Sequence, residues 1–205
     1  MNHLNARHTL QNKIVLSMRL FTGISLSQQV SDRLMALMDQ LRPFAKIYWT
    51  PVGNLHITSK FIGSWPDDRL HGLEDALARV PKTGSIKIAV SQFGFLPNPH
   101  RPSAFVAGVQ AGPVLTDLAR IIGEKLEPLG CPPETRPYKP HITLARVKPD
   151  HDIRGLREQI ARMTEFDFGT FEATEFHLYV SKPGTRGSEY SKIATYDLMK
   201  EKPAN

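Results

Sequence analysis

One cysteine, Cys131, is all this chain has, so no disulfide can close within it and no Cys-x-x-Cys metal or redox site exists. Cys131 precedes Pro132-Pro133 in what reads as a loop, a setting that favours an inert thiol over a nucleophile. No apolar run approaches the ~18 residues needed to cross a bilayer, so the reading is a soluble protein with no membrane partner, and the cytoplasm is the default compartment. There is no Gly-x-x-x-x-Gly-Lys phosphate loop, which argues against ATP-driven chemistry, and no His-Glu-x-x-His or cysteine cluster of the kind zinc hydrolases use. Acidic residues are missing from residues 1-17, which carry Arg7 and Lys13. That segment reads as a disordered extension, with a short transit peptide as the rival.

What remains is a 205-residue chain with 40% hydrophobic and 22% charged residues, enough to bury a core. Its net charge is +6, or +4 without the extension, a balance that suits a phosphate-bearing substrate but falls far short of the dense basic stripes of a duplex DNA binder.

Apolar spacing predicts a strand at Arg19 to Ile24, then a helix carrying Val30, Leu34, Leu37 and Leu41 and stopped by Pro43. A strand around Asn54 to Ile62 follows, then a helix opened by Asp67-Asp68 with Leu70, Leu73, Leu77 and Val80, closed by Pro81, and a strand at Ile86 to Phe95. The Pro-rich stretch 97-102 reads as a crossover or linker, near which the lobes exchange. The order then recurs: a strand at Ser103 to Val109, a helix from Pro113 with Val114, Leu118, Ile121 and Ile122, a strand from His141, a helix with Ile153, Leu156, Ile160 and Met163, and a strand region from Phe168 to Val180. Matching elements stand 84 to 86 residues apart, the mark of a duplicated β-α-β-α-β unit. A further strand is expected near Tyr190 to Leu198, and 199-205 as a tail.

Both copies carry one triplet in a predicted strand: His56-Ile57-Thr58 and His141-Ile142-Thr143, 85 residues apart. Side chains at i and i+2 of a strand share a face, so each strand offers an imidazole and a hydroxyl to the same space while the isoleucine points away. Chance yields about half a His-x-Thr match in such a chain; identical triplets at the repeat offset weigh against coincidence. The bland alternative is two half-buried strand histidines satisfied by their threonines. Two facing imidazoles suit a reaction in which one proton is taken and another given near neutral pH, such as opening a cyclic phosphodiester.

These triplets, with Met18-Arg19-Leu20-Phe21, the string Arg136 to Arg146 and the ending Ser181-x-x-Gly184 with Tyr190, resemble the 2H phosphoesterase superfamily, specifically the RNA 2′,3′-cyclic phosphodiesterase family once called 2′-5′ RNA ligase. The resemblance spans residues 18-198. It implies an α+β, bilobal fold, two antiparallel sheets around a central cleft with helices outside, and a single domain over 18-198. It implies no metal, no cofactor, a monomer, and hydrolysis of RNA 3′ ends or nucleoside 2′,3′-cyclic phosphates to 2′-phosphates. By the same resemblance His56 is the general acid on the 3′ oxygen and His141 the base for water. Thr58, Thr143 and Arg146 then hold phosphate, and Phe61 stacks on the terminal base. Ser59 departs from the family's usual apolar residue.

Phe61 and Arg146 sit five residues after their histidines, and in a straight strand that odd offset puts them on the opposite face. A bulge or a strand end must intervene; otherwise Phe61 is core and Arg146 plain surface. Lys60, at an even offset, is a further phosphate candidate on the catalytic face. His71, His100, His151 and His177 lack a partner threonine and read as bystanders. Two rivals stay open: ATP-independent 2′-5′ RNA ligation as the reverse of hydrolysis, and a non-catalytic module that captures RNA ends.

Overall fold

The computed structural model describes residues 16-200 except Glu165 and Arg186. The expected extension lies outside these residues apart from Leu16 and Ser17, and the tail apart from Met199 and Lys200. In chain order the elements are β1 (Ser17–Ser25), α1 (Gln28–Leu41), β2 (Tyr48–Trp49), β3 (His56–Pro66), α2 (Leu70–Ala78), β4 (Ile86–Leu96), β5 (Ala104–Gln110), α3 (Gly112–Leu126), β6 (His141–Arg146), α4 (Arg154–Arg162), β7 (Asp167–Ala173), β8 (Glu175–Gly184) and β9 (Gly187–Asp197).

The helices form where the apolar periodicity puts them. Ser27 caps α1, its hydroxyl accepting from the Val30 N–H at 3.3 Å, and Val30, Leu34, Leu37, Met38 and Leu41 turn into the core until Pro43 ends the helix in a 3-10 turn. In α3 the buried face is Leu115, Leu118, Ala119, Ile122 and Leu126, so Val114 is on the outer side rather than the core side. Pro113 occupies the first turn, where its missing N–H costs nothing, and Val114 follows it before the packed face begins.

All nine strands join one antiparallel sheet in the order β7-β4-β5-β6-β3-β1-β8-β9, with β2 added alongside β6. The two expected sheets are its halves, β7-β4-β5-β6 and β3-β1-β8-β9, which meet at a single residue pair, Ile57 with Ile142. The order is a palindrome of the repeat: β6 answers β3 and β5 answers β1. A lone residue, Thr174, joins β7 at one edge to β8 in the other half. One residue spans only about 3.5 Å, so the sheet must curl until its ends approach. The helices cover it, α1 against β7 and α3 against β3.

The stretch 97-102 is not a crossover between halves. Leu96 pairs with Ala104, so it is the loop of a β4–β5 hairpin; apart from the two-residue β2, which joins β6, the chain changes halves instead between α2 and β4 and again at Thr174. Prolines stop a strand but do not say where the next one pairs. The strand region Phe168 to Val180 is likewise two strands.

Candidate active site

The two motifs lie side by side where the half-sheets meet. Ile57 and Ile142 face each other antiparallel and both are fully buried, while His56, Thr58, His141 and Thr143 are half-buried on the opposite face. This register sets His56 beside Thr143 and Thr58 beside His141, and diagonal positions on one face of such a pair are about 7–8 Å apart, room for a phosphoryl group between two imidazoles.

Both rings are held in the same way. His56 Nδ1–H donates to the Asn54 carbonyl at 2.7 Å and His141 Nδ1–H to the Lys139 carbonyl at 2.7 Å. A carbonyl can only accept, so each neutral ring carries its proton on Nδ1 and presents a bare Nε2. His56 Nε2 accepts from the Thr58 hydroxyl at 2.9 Å. Burial lowers the pKa of His56, opposed in part by the Asn54 carbonyl and reinforced by the nearby charges of His141 and Arg146.

The halves differ in what flanks each histidine. Phe21 is 4.7 Å from the His56 ring, Tyr190 stands edge-on to it at 5.4 Å, and Tyr179 stacks on Phe21 at 4.9 Å with its hydroxyl 2.9 Å from Ser25 Oγ. Phe21 pairs with Tyr179 across β1 and β8; at the matching positions across β5 and β4, Val106 pairs with Gly94. Two rings are thus replaced by a valine and a glycine. The His141 side keeps an open pocket of about 240 Å³ lined by Gln92, Phe93, Gly94, Val106, Gly108 and Lys139. A larger depression of about 430 Å³ around Ser85, Lys87 and Gln110 is lined by neither histidine and gathers no pair of titratable groups.

The odd offset is resolved by bulges. Along β3 the partners on β1 step from Gly23 opposite Thr58 to Thr22 opposite Lys60, and along β6 the partners on β5 step from Val106 opposite Thr143 to Phe105 opposite Ala145. An extra residue in each strand buries two successive side chains, Ser59 with Lys60 and Leu144 with Ala145, and returns the next to the histidine face. Phe61 and Arg146 are therefore both exposed on that face. At 61% exposure Phe61 is not a core residue. Lys60, by contrast, does not reach the histidine face: the same bulge turns it inward, 6% exposed, where its ammonium donates to the Pro132 carbonyl at 2.8 Å. Ser59 points away from the cleft as expected.

Sequence reasoning missed three contributors. Gly23 lies where a Cβ would sit 2.7 Å from the Ile57 carbonyl oxygen and 3.3 Å from His56 Cδ2, and Gly108 where one would sit 2.7 Å from the Ser91 carbonyl oxygen. These glycines are 85 residues apart, the repeat offset, and that signal was available. Asn54 grips the β8–β9 hairpin, its amide donating to the Ser188 carbonyl at 2.6 Å and its oxygen accepting from the Tyr190 N–H at 3.2 Å, while its own carbonyl anchors His56. Among the other histidines, His71 and His100 are exposed and His177 is buried against Thr195 at 3.0 Å. His151, however, lies 5.3 Å from Tyr48, the β2 partner of Arg146. Cys131 is buried, and burial pushes its thiol pKa up, away from thiolate chemistry. Among the described residues no three His, Cys, Asp or Glu side chains gather as metal ligands would.

Residues 26–185 match the family model described as the 2'-5' RNA ligase superfamily. The RNA 2',3'-cyclic phosphodiesterase of Methanocaldococcus jannaschii is 31% identical over 179 residues, 86% of this chain and 98% of that protein. The protein of the same name from Archaeoglobus fulgidus is 27% identical, covering 88% of this chain and all of that one. Among solved structures, TT0787 of Thermus thermophilus superposes with a TM-score of 0.76 at 26% identity, over 90% of this chain and 100% of that one. E. coli LigT complexed with 3'-AMP superposes at 0.75 and 21% identity, again over 90% and 100%, a likeness of fold. With the family model matched over most of its length, this chain belongs to the 2'-5' RNA ligase superfamily, the 2H phosphoesterases.

Proposed function

We propose that this protein hydrolyses the 2′,3′-cyclic phosphodiester at RNA 3′ ends, leaving a 2′-phosphomonoester, by acid–base chemistry between His56 and His141 and with no metal ion. The observation that carries this reading is the pair of His-x-Thr strands joined at Ile57 and Ile142, which turns two imidazoles and two hydroxyls to one face. The names of the relatives point to the same substrate.

In the reaction, His141 Nε2 takes a proton from water as the water oxygen attacks phosphorus. The bond from phosphorus to O3′ breaks opposite the incoming oxygen, and His56 Nε2–H protonates the departing O3′. The open side of the site is His141's, which suits entry of water, whereas His56 lies under Phe21 and Tyr190, which suits a buried leaving oxygen. Burial disfavours the charged form of His56 in the free protein; as the anionic phosphoryl group binds, its charge favours uptake of a proton from solvent on Nε2, and Thr58 turns its hydroxyl from the imidazole to a phosphoryl oxygen. Thr58, Thr143 and Arg146 donate to the phosphoryl oxygens, Arg146 as a two-pronged contact, so charge and donors are in place without a divalent ion. Phe61 offers a ring face to the terminal base.

The pocket beside His141 favours a second reading of the same site. An alcohol bound there in place of water turns hydrolysis into 2′-5′ ligation run without ATP. The test is an oligonucleotide ending in a 2′,3′-cyclic phosphate, with the product isomer identified and with exhaustive chelation in a parallel arm. We expect a 2′-phosphate, turnover unchanged by chelator, and losses of about 10²- to 10⁴-fold in His56→Ala and in His141→Ala. Full activity in either variant, or activity lost to chelator and restored by zinc or magnesium, overturns the assignment.

A further inference from the structure

The strand β2 is two residues long, and its side chains go opposite ways. Trp49 is half-buried against the core, its indole N–H donating to the Ala45 carbonyl at 3.3 Å. Tyr48 pairs with Arg146 on β6, and directly opposed residues of an antiparallel pair share a face, so Tyr48 stands on the same side of the sheet as the catalytic groups. It is 54% exposed, in company with Phe61 as a large aromatic ring that the core does not use.

The ring is nevertheless held in place. Lys148 Nζ donates to the Tyr48 hydroxyl at 3.1 Å and lies 4.6 Å from the ring centroid. His151 approaches the ring at 5.3 Å, and its Nδ1 accepts from the Lys148 backbone N–H at 3.1 Å. The loop after β6 thus folds back so that one ammonium and one imidazole frame an exposed phenol ring, immediately beside Arg146, which Tyr48 faces across the ladder. Asp150 is the acid near this lysine, and Lys148 makes no ion pair among the described residues.

A half-exposed aromatic ring with a cation against it near its hydroxyl is a pairing that single-stranded nucleic acid uses, the base stacking on the ring's open side and the phosphodiester drawn to the charge. Because β3 and β6 run antiparallel at their join, Phe61 and Arg146 leave the histidines in opposite directions. The catalytic face therefore has an aromatic ring at each end, Phe61 beyond Thr58 and Tyr48 beside Arg146.

We propose that Tyr48, Lys148 and His151 form a subsite for the nucleotide that precedes the terminal cyclic phosphate in a single-stranded RNA. This rests on the proposed hydrolysis and extends it: the site then prefers an RNA end to a free nucleoside 2′,3′-cyclic phosphate, because the free nucleotide leaves the Tyr48 end empty. Tyr48 and Lys148 contribute binding of the strand, while bond breaking stays with the histidines.

The test compares kcat/KM for a short single-stranded oligonucleotide ending in a 2′,3′-cyclic phosphate with that for the nucleoside 2′,3′-cyclic phosphate. Wild type, Tyr48→Ala, Tyr48→Phe and Lys148→Ala are compared, each checked by thermal melting. Wild type should favour the oligonucleotide, Tyr48→Ala should lower that preference about 5- to 150-fold, and Tyr48→Phe, which keeps the ring, should restore most of it. Lys148→Ala should reduce the salt dependence of the oligonucleotide's KM by about one phosphate contact. A preference unchanged in Tyr48→Ala, or lost equally in Tyr48→Phe, overturns the subsite. Should the wild type turn over neither substrate, the hydrolytic reading fails instead, and titration of a fluorescent single-stranded oligonucleotide against wild type and Tyr48→Ala still decides the subsite, equal affinities overturning it.

Discussion

Replacing Phe61 by alanine separates a recognition residue from a core residue by two independent numbers. A buried phenylalanine cut to alanine costs about 3 to 5 kcal/mol. Phe61 is 61% exposed, with Phe21 its aromatic neighbour at 6.3 Å, so well under half of that loss applies, about 1 to 2 kcal/mol. For a chain of this length the melting temperature should fall by only about 2 to 8 °C. Stacking on a base is worth about 1 to 3 kcal/mol, which raises KM for RNA ends about 5- to 150-fold. A substrate carrying the cyclic phosphate on ribose without a base should be turned over by Phe61→Ala nearly as by wild type. Arg146→Ala should slow both substrates alike, and Arg146→Lys should already lose much of the rate, because an ammonium lacks the two-pronged geometry. Steady-state kinetics on both substrates with a parallel melt decide the matter. If Phe61→Ala unfolds the protein or slows both substrates equally, the stacking role is wrong despite the residue's exposure.

Gly23→Ala forces a Cβ to 2.7 Å from the Ile57 backbone oxygen, which cannot swing aside, so a stability loss of about 1 to 3 kcal/mol together with a fall in kcat is expected. Gly72→Ala, in α2 with nothing within 4 Å of its Cβ, should instead stabilise by about 0.5 to 1 kcal/mol at unchanged activity; equal behaviour of the two variants in melts would refute the close-approach argument. Asn54→Ala removes two hydrogen bonds to the β8–β9 hairpin, worth about 0.5 to 1.5 kcal/mol each, and should lower both melting temperature and kcat; an unaltered melt and rate would show that the hairpin does not depend on it. His56 should titrate below 6.5 in the free protein and move upward when inorganic phosphate binds, read from its ring proton shifts. Because the folded state binds that proton less readily than the unfolded chain, the group's contribution to stability is full above 6.5 and is lost as pH falls through its folded pKa. A midpoint at or above 6.5 in the free protein would contradict the burial argument.

Lys60 and Phe61 show where local reasoning ends. Strict alternation from His56 assigns Lys60 to the catalytic face and Phe61 to the core, and the structure does the reverse. Nothing in Ser59-Lys60-Phe61 marks a bulge, since neither glycine nor proline is present; the extra residue arises from how β1 lies against β3, with Gly23 opposite Thr58 and Thr22 opposite Lys60. The identical slip in β6 is legible only as a repeat, two functional candidates at the same odd offset. Tyr48 was invisible for another reason: a two-residue strand has no periodicity to detect, and its importance comes from Arg146 across the ladder.

By itself the sequence determined the four helices and most of the faces they bury, Val114 excepted, the duplication, and the pairing of each histidine with a threonine, because the 3.6- and 2-residue periods are local properties of the backbone. Only the tertiary structure decided that Ile57 meets Ile142, that β4 joins the second half and β8 the first, that bulges return Phe61 and Arg146 to the histidines, and that Asn54 ties a distant hairpin to His56. Those choices depend on which strand lies beside which, and strand partnership is set by contacts between residues as far apart as 162 positions, as between Arg19 and Ser181 across β1 and β8, a separation no local period encodes.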